Sequence, residues 1–367
     1  MIDFSLSNCL NSQIEDIAVL TGYQRSYLGS YLKRWHLTNA EDKNISILEP
    51  KSGMYLGTAD AVYQNLNRVT NSKADTVVIL AADHVYRMDY REMIAFHKAM
   101  KADVTVGVVS VPIERASQFG TVMTDTNNRI IDFVEKPVHP QSNLVSMGIY
   151  VFEATILRER LKEDAAQPES VHDFGRVILP QMLQRDRMFA YKFSGYWQDI
   201  GTPEAYHKAN LDLVSQSSAL SLDNAWPIYP CDRDYRPINV RQNSHVRSSL
   251  IGSGCAIKGY VENSIISPGV WVGEGAVVKN SVIMANVSIG RHTEVSHSVV
   301  DEGVVIGEHC NVGSGPDFYH GLARVTVLGQ NTRVPSRSDI GISGELLSIP
   351  KSAMSSGFNN LPEPAMS

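Results

Sequence analysis

An acidic residue at the end of an apolar stretch is the first feature of this sequence that could do chemistry. Residues 77–82 are all apolar and half of them are β-branched, which predicts a strand covered on both faces, as in a parallel sheet. Asp83 follows directly, where the strand would leave the sheet. Ligands of open α/β sheets bind beyond the carboxyl ends of the strands, so this carboxylate could meet a metal ion or a substrate. The alternative is structural, since Asp83 or Asp89 could cap the helix predicted over residues 90–100.

The composition predicts a globular protein of two domains. The chain has 367 residues, of which 43% are hydrophobic and 20% charged, and a chain of this length usually builds more than one core. Its 33 basic and 39 acidic residues give a net charge of −6, which argues against nucleic acids and anionic membranes as partners. The four cysteines lie far apart and no stretch has the length of a membrane span, so we expect a cytoplasmic protein with reduced thiols.

Strands and helices alternate over residues 1–214, which predicts an α/β domain with a mostly parallel, Rossmann-like sheet. After Gly120 the pattern changes to short strands over residues 121–124 and 129–134, joined by a polar turn, which predicts a hairpin. Residues 215–240 are rich in Ser, Asp and Pro without sustained periodicity, and we predict a linker there. Other helices are predicted over about residues 24–35, 58–67 and 90–100.

A repeat of 17 residues, which begins at residues 263, 280 and 297, is the clearest periodicity in the sequence, and the domain that contains it runs from about residue 245 to residue 313. Within each repeat, aliphatic residues recur every six positions, and a second, mostly small series precedes them by two positions. A three-sided coil of short strands explains a step of six, whereas a helix or a globular sheet does not. We therefore predict a left-handed β-helix of hexapeptide repeats over residues 241–350, followed by a flexible tail over residues 351–367. The aliphatic series is Ile266, Val272, Val278, Ile283, Ile289, Val295, Val300, Ile306 and Val312, and the second series is Ser264, Val270, Ala276, Ser281, Val287, Thr293, Ser298, Val304 and Cys310.

Seven stretches ahead of the repeats match one protein family in the same order. They are residues 2–12, 57–65, 83–86 (Asp-His-Val-Tyr) with 88–90, 133–137 (Phe-Val-Glu-Lys-Pro), 146–150 (Ser-Met-Gly-Ile-Tyr), 172–175 (His-Asp-Phe-Gly) and 196–202 (Tyr-Trp-Gln-Asp-Ile-Gly-Thr). Each stretch alone is a weak signal, but together, and followed by hexapeptide repeats, they are specific. Over nearly its whole length the chain resembles the glucose-1-phosphate adenylyltransferases, the ADP-glucose pyrophosphorylases of bacterial glycogen synthesis.

The resemblance implies a reaction and a metal ion. It implies that the protein transfers the adenylyl group of ATP to α-D-glucose 1-phosphate, giving ADP-glucose and pyrophosphate, and that it forms a homotetramer. The sugar phosphate must attack the α-phosphorus of ATP, so the site needs Mg²⁺ and cationic side chains to offset the repulsion between anions. Mg²⁺ prefers carboxylate and phosphate oxygens, and by resemblance Asp83 and Asp199 hold it.

The resemblance also implies which residues bind the substrates. Lys136 would contact the phosphate of the sugar, and it would be the third catalytic residue beside Asp83 and Asp199. Gly57 and Thr58, at the start of a predicted helix, would face the nucleotide, because the N–H groups of a helix N-terminus favour anions. The other expected substrate-binding residues, most of them around the glucose, are Tyr55, Gly120, Glu135, Ser146, Asp173 and Trp197.

Several of these residues also have structural explanations. Lys136 would be an ordinary solvated turn residue without the resemblance, and Trp197 could be a core aromatic residue. His172 could cap the helix that follows it. The histidines of the repeats are expected at the surface rather than in a catalytic role; they are His292, His297 and His309.

The resemblance leaves alternative functions open. In the family a first strand and a glycine-rich loop precede the segment that matches Ile2, so we expect the catalytic domain of residues 1–214 to be N-terminally incomplete. One alternative is therefore a catalytically impaired or regulatory subunit of the same enzyme. Another is a hexapeptide acyltransferase, but that hypothesis leaves Asp83, Lys136 and Asp199 unexplained.

Overall fold

The computed structural model describes residues 1–22, 25–40, 43–51, 53–70, 75–215, 226–231, 237–240, 244–313 and 325–341. By their contacts the residues form two units, Met1–Trp197 with Leu222–Asp232 and Gln198–Ser221 with Arg233–Ser367. The division falls inside the short strand Trp197–Asp199, and we describe this strand with the first unit because its hydrogen-bonded partner lies there. Among the described residues, no helix has both the length and the apolar character that crossing a lipid bilayer requires.

The first unit alternates helices and strands, as the sequence predicts. Its helices in the described residues are α1 (Ile2–Asn11), α2 (Arg25–Asn39), α3 (Thr58–Gln64), α4 (Leu66–Thr70), α5 (Tyr90–Ala99), α6 (Ile113–Ala116), α7 (Ala154–Ala165) and α8 (Leu179–Met182), with a π-helix at Phe174–Ile178. Its strands are β1 (Asp16–Leu20), β2 (Asn44–Leu48), β3 (Thr76–Leu80), β4 (His84–Tyr86), β5 (Val104–Ser110), β6 (Gly120–Thr124), β7 (Ile130–Glu135), β8 (Leu144–Glu153), β9 (Met188–Lys192) and β10 (Trp197–Asp199). The helix predicted over residues 58–67 is divided into α3 and α4, because Asn65 leaves the helical conformation (φ −108°, ψ 14°).

The main sheet of the first unit is mixed rather than mostly parallel. Its strands follow the order β7-β6-β8-β5-β9, and β3 also pairs with β8. Strands β5 and β9 are parallel, but β8 runs antiparallel to β3, β5 and β6. The predicted α/β class is confirmed, β6 and β7 form the predicted hairpin, and the difference from a parallel sheet lies in the antiparallel pairs of β8. Strand β8 returns from that hairpin and fills the centre of the sheet, with Met147, Ile149 and Val151 packed in one core cluster and Tyr150 and Phe152 in another.

The structure separates the two roles that were open for Asp83. Strand β3 ends at Leu80, and Asp83 lies between β3 and β4. The cap of α5 is Asp89, whose side chain accepts a hydrogen bond from the backbone N–H of Arg91 at 2.9 Å. Asp83 therefore does not cap this helix.

Part of the predicted linker packs in the first unit. The indole N–H of Trp226 donates to Asn8 Oδ1 at 2.8 Å, and the backbone N–H of Tyr229 donates to Ser7 Oγ at 2.9 Å. Trp35 on α2 donates its indole N–H to the carbonyl oxygen of Tyr229 at 2.7 Å. Residues 226–231 are therefore fixed against α1 and α2 by polar contacts that the composition of the segment does not indicate.

The second unit contains a β-helix. Its strands in the described residues are β11 (Asn239–Val240), β12 (His245–Arg247), β13 (Leu250–Ile251), β14 (Ala256–Ile257), β15 (Tyr260–Glu262), β16 (Ile265–Ile266), β17 (Trp271–Val272), β18 (Val277–Lys279), β19 (Val282–Ile283), β20 (Ser288–Ile289), β21 (Glu294–Ser296), β22 (Ser298–Val300), β23 (Val305–Ile306), β24 (Asn311–Val312), β25 (Thr326–Leu328), β26 (Arg333–Val334) and β27 (Asp339–Ile340). They form three parallel sheets, of which β11-β14-β17-β20-β23-β26 is one. The three faces confirm the β-helix predicted from the step of six residues.

The register of the coils follows the predicted repeat and extends beyond it. Ile266 pairs with Ile283, and Ile283 pairs with Val300, which is a step of 17 residues. The coil before them is two residues shorter, since Ile251 pairs with Ile266. The coil after them is longer, since Val300 pairs with Leu328, and residues 314–324 of that coil lie outside the described residues.

The two periodic series form the core of the β-helix. Every residue of both series is at most 1% exposed. The serines among them, Ser264, Ser281 and Ser298, form a ladder in which the backbone N–H of one serine donates to the hydroxyl of the serine one coil earlier, at 3.1 and 3.2 Å. Each of these hydroxyls donates in turn to the carbonyl two residues before it. The second series can therefore contain polar residues, because their hydroxyls make hydrogen bonds with buried backbone groups.

A helix of the predicted first domain belongs by its contacts to the second unit. Helix α9 (Pro203–Asp212) begins after Thr202, whose hydroxyl accepts the N–H of Ala205 at 3.2 Å. His207 on α9 donates its Nε2–H to the carbonyl oxygen of Asn280 at 2.7 Å, and its ring contacts that of His297. The sequence places the domain boundary after residue 214, whereas the contacts place α9 with the β-helix.

Candidate active site

Two acidic residues and a histidine come together at the short sheet of β4 and β10. The ligand atoms of Asp83, His84 and Asp199 lie within 4.8 Å of one another. The side chain of Asp83 is 58% exposed, and that of His84 is buried, with its Nε2 3.6 Å from Asp83 Oδ1. The backbone N–H of Gly201 donates to Asp199 Oδ1 at 2.7 Å and fixes that carboxylate.

The donor set of this cluster fits a hard divalent cation. Carboxylate oxygens are the protein ligands that Mg²⁺ prefers, and Mg²⁺ usually keeps other positions for water and substrate phosphates. The side chain of Asp83 is exposed, so a cation bound to it could also bind water and substrate phosphates. His84 was not among the residues expected from the sequence, although the Asp-His-Val-Tyr stretch contains it.

Trp197 lies beside this cluster with aromatic neighbours on two sides. Its ring contacts the ring of His84 at a centroid distance of 5.2 Å and the ring of Phe119 at 5.3 Å, both edge to face. Its indole N–H is buried and has no hydrogen-bond acceptor among the described residues. A buried donor without an acceptor is rare in folded proteins and is often explained by a function. Trp197 thus combines the predicted core packing with a free polar group.

A cavity of about 540 Å³ lies beyond the end of β7. Lys136 follows that strand with a positive φ of 46°, and its backbone N–H donates to the carbonyl oxygen of Phe119 at 3.1 Å. Phe119 therefore touches both Lys136 and Trp197, and it was missed in the sequence because nothing marks it there. The residues that line the cavity are Phe133, Val134, Glu135, Lys136, Arg176 and Pro180.

Two glycines make room for the carboxylate of Glu135. A Cβ atom at Gly120 would lie 2.7 Å from Glu135 Oε2, and one at Gly175 would lie 2.6 Å from the same oxygen. Burial raises the pKa of Glu135 and nearby Asp173 raises it further, whereas the charges of Lys136 and Arg176 act in the opposite direction. The carboxylate is therefore held in a partly desolvated position between two backbone segments, where it could accept hydrogen bonds from hydroxyl groups.

Asp173 organises the segment that faces Glu135. One of its carboxylate oxygens accepts the hydroxyl of Thr58 at 3.0 Å, and the other accepts the backbone N–H of Arg176 at 2.9 Å. The hydroxyl of Thr58 also accepts the backbone N–H of Phe174 at 3.1 Å. Asp173, rather than His172, is the cap of the π-helix.

The start of α3 differs from the expectation for Gly57 and Thr58. The backbone N–H groups of Ala59 and Asp60 donate to the carbonyl oxygen of His172, at 2.8 and 3.3 Å. A Cβ atom at Gly57 would lie 2.3 Å from that oxygen, so only glycine allows the approach. These N–H groups are already engaged by the protein, and α3 has only seven residues. The contacts therefore favour a structural role for Gly57 and Thr58 over the expected contact with a nucleotide.

Tyr55 and Ser146 make hydrogen bonds within the protein. The hydroxyl of Tyr55 donates to the carbonyl oxygen of Leu48 at 3.3 Å and accepts the side-chain amide of Asn65 at 3.1 Å. Ser146 is buried, and its hydroxyl accepts the backbone N–H of Gly148 at 3.2 Å. It also bonds to the hydroxyl of Tyr150, whose pKa burial raises to about 12.

The arrangement has the chemical parts of a site for phosphorylated sugars and nucleotides. One part is a carboxylate cluster suited to a divalent cation, and the other is a cavity with a half-buried carboxylate and two exposed cations. Phe119 connects the two parts through Trp197 and Lys136.

Comparisons with known proteins agree with this chemistry. A family model described as nucleotidyl transferase matches residues 1–216, and one described as GlmU-like, C-terminal hexapeptide, matches residues 238–329. A glucose-1-phosphate adenylyltransferase of Thermosipho africanus (strain TCF52B) is 44% identical over 76% of this chain and 69% of its own length. The proteins of the same name from Geobacillus stearothermophilus and Halalkalibacterium halodurans are each 43% identical over 76% of this chain, and over 74% and 75% of their own lengths. Because the nucleotidyl transferase model covers more than half of the chain and these relatives are 43–44% identical to it, the chain belongs to the glucose-1-phosphate adenylyltransferase family of nucleotidyl transferases.

Proposed function

We propose that the protein transfers the adenylyl group of ATP to α-D-glucose 1-phosphate and so makes ADP-glucose and pyrophosphate for glycogen synthesis. The observation that carries the proposal is the cavity beside Glu135 and Lys136. Cations bind phosphate and a carboxylate accepts sugar hydroxyls, so this lining suits a sugar that bears a phosphate. The names of the relatives that are 43–44% identical support the same reaction.

In this reaction an oxygen of the sugar phosphate attacks the α-phosphorus of ATP, and pyrophosphate leaves. Lys136 contacts the phosphate of the sugar and offsets part of its charge, while Glu135 orients the sugar through its hydroxyl groups. Asp83 and Asp199 hold a divalent cation, which we propose to be Mg²⁺. When bound, the cation offsets negative charge on the reacting phosphates.

The other predicted residues support these groups in different ways. Gly120 gives the carboxylate of Glu135 its space, and Asp173 fixes the backbone beside it. We propose positioning roles for both. Direct contacts of substrate with Tyr55, Ser146 and Trp197 stay predictions, as do the homotetramer and the cytoplasmic location.

The test is a product assay with the purified protein, ATP, glucose 1-phosphate and Mg²⁺. We expect pyrophosphate release and a product with the mass of ADP-glucose, and we expect a chelator to stop both. UTP, CTP and dTTP in place of ATP, and mannose 1-phosphate in place of glucose 1-phosphate, serve as specificity controls. A product with another nucleotide or sugar would contradict the proposed substrates. Binding of glucose 1-phosphate without any turnover would instead favour the catalytically impaired or regulatory subunit.

A further inference from the structure

The cavity at the end of β7 contains a second cation to which the sequence assigns no role. Arg176 lines it together with Lys136 and Glu135. We propose that Arg176 binds the phosphate group of the sugar phosphate together with Lys136. The inference rests on the function proposed above and names a further substrate-binding residue for it.

The backbone of Arg176 is fixed at this cavity. Its N–H donates to Asp173 Oδ1, and the other oxygen of Asp173 is held by the hydroxyl of Thr58. Its segment is a π-helix whose residues Phe174 and Ile178 are 3% and 1% exposed. Single-turn π-helices are rare and occur frequently at functional sites. The side chain of Arg176 therefore starts from an ordered position at the rim of the cavity.

The guanidinium group of Arg176 is available for a ligand. Among the described residues, no carboxylate lies in ion-pair contact with it, and both oxygens of neighbouring Asp173 already accept other hydrogen bonds. Other arginines of the first unit are paired, such as Arg160 with Asp186 and Arg187 with Asp103. An exposed arginine alone would be unremarkable, but this one shares a cavity with Lys136, which is also exposed.

The carboxylate of Glu135 sets the orientation of the ligand. It lies against Gly175, the residue before Arg176. The carboxylate of Glu135, which would accept hydroxyl groups, and the cationic side chain of Arg176 therefore come from adjacent backbone segments. The charges of Lys136 and Arg176 both act on this carboxylate. A ligand with hydroxyl groups at one end and a phosphate at the other satisfies all three side chains. An anion without hydroxyl groups would offer no hydrogen-bond donor to Glu135, and its negative charge would be repelled by that carboxylate.

The chemistry of arginine predicts how Arg176 acts. Its planar group can donate two parallel hydrogen bonds to one phosphate, whereas lysine acts as a point charge. Removing one partner of a hydrogen bond to a charged group lowers the binding affinity by about ten- to a hundredfold. We therefore expect Arg176→Ala to raise the dissociation constant for glucose 1-phosphate by about ten- to a hundredfold. Arg176→Lys should recover only part of this loss.

The first experiment is calorimetric titration of the purified protein with glucose 1-phosphate. Wild type, Arg176→Ala, Arg176→Lys and the control Arg291→Ala are compared. Arg291 is an exposed arginine of the β-helix, outside the candidate site. We expect the full loss for Arg176→Ala, a smaller loss for Arg176→Lys and none for Arg291→Ala, with the KM for ATP within about twofold of wild type in turnover assays. An unchanged dissociation constant for Arg176→Ala, with wild-type protein that makes ADP-glucose, would overturn this inference and leave the proposed function intact. Wild-type protein that neither binds glucose 1-phosphate nor makes ADP-glucose would overturn both.

A second measurement separates phosphate binding from an effect of Arg176 on Glu135. The same titrations are made with Glu135→Gln and with the double variant Glu135→Gln/Arg176→Ala. If Arg176 binds the phosphate directly, its removal costs the same factor in the Glu135→Gln background as in wild type. If Arg176 acts only through the charge of Glu135, its removal has no effect in that background, and the proposal is wrong.

Discussion

Replacing one buried serine of the β-helix should destabilise that unit, although it removes a single oxygen atom. Ser281 is 0% exposed, and its hydroxyl donates to the carbonyl oxygen of Lys279 at 2.7 Å and accepts the N–H of Ser298 at 3.2 Å. Ser249 makes the same two kinds of bond, to the carbonyl oxygen of Arg247 at 2.8 Å and from the N–H of Ser264 at 3.1 Å, but it is only half-buried. Ser281→Ala and Ser249→Ala are therefore a matched pair that differs in burial.

The expected loss of stability follows from the backbone groups that lose a hydrogen-bond partner in each variant. In Ser281→Ala the carbonyl oxygen of Lys279 keeps the N–H of His297 at 3.1 Å, so only the N–H of Ser298 loses its partner. A buried donor without a partner costs about 1–3 kcal/mol, and the second lost bond adds about 0.5–1.5 kcal/mol. We expect Ser281→Ala to lower the free energy of opening of the β-helix by about 1.5–4.5 kcal/mol. Ser249→Ala should lower it by less than about 1 kcal/mol, because water can replace the hydroxyl there.

Hydrogen exchange read by mass spectrometry tests this on the intact chain. The protein has two units, so a single unfolding midpoint would mix their stabilities. Peptides from β19 and β22 report on the coils beside Ser281, and peptides from β13 and β16 report on the coils beside Ser249. The expected loss for Ser281→Ala corresponds to exchange that is about 10- to 2,000-fold faster in the peptides from β19 and β22. Equal effects of Ser281→Ala and Ser249→Ala would refute the reasoning, since the two differ only in burial.

Three further predictions concern the first unit. Asp83→Asn should lower kcat by about 10²–10³-fold or more, because the metal-bound charge acts in the transition state. The melting temperature should stay close to that of wild type, since the side chain of Asp83 is exposed. Normal turnover in this variant would exclude Asp83 as a metal ligand. Lys136→Ala should chiefly raise the KM for glucose 1-phosphate, since a contact with the phosphate group stabilises the bound substrate and the transition state equally. A change in the KM for ATP alone would show that Lys136 contacts ATP instead. Glu135 has a pKa raised above the ordinary 4.5 by burial, so its ionised form is less favourable in the folded state. At neutral pH, hydrogen exchange in the peptides of β7 and β8 should therefore be slower in Glu135→Gln than in wild type, and this difference should disappear as the pH falls below about 4.5. A difference that grows on acidification would contradict the raised pKa.

The β-helix is the part of the fold that the sequence determined most completely. Each coil contacts only its neighbours, so a short repeat is enough to specify the strands, the corners and the buried positions. The step of six residues predicted the coil, and the structure shows that the residues which follow this step, such as Ile283 and Ser281, are buried. The hairpin of β6 and β7 could also be predicted, because it depends on a local turn.

The order of strands in the first unit was decided by long-range pairing. The alternation of helices and strands predicted parallel neighbours, but β8 runs antiparallel between β3 and β5. Periodicity shows which face of a strand is buried and does not show which strand lies beside it. For the same reason the contacts of Trp226 with α1 could not be predicted from a polar, aperiodic segment, and the contacts of α9 with the β-helix could not be predicted from its helical pattern.

The candidate site required both kinds of information. The family resemblance named Asp83, Asp199 and Lys136 from their neighbours in the sequence, and their roles stay predictions until the variants are measured. Only the tertiary structure put the ligand atoms of Asp83, His84 and Asp199 within 4.8 Å of one another. Only the tertiary structure put Arg176 in the cavity of Lys136 and engaged the first N–H groups of α3 with a carbonyl. Residue types set what each side chain can bind, but their distances depend on how segments far apart in the chain pack against each other.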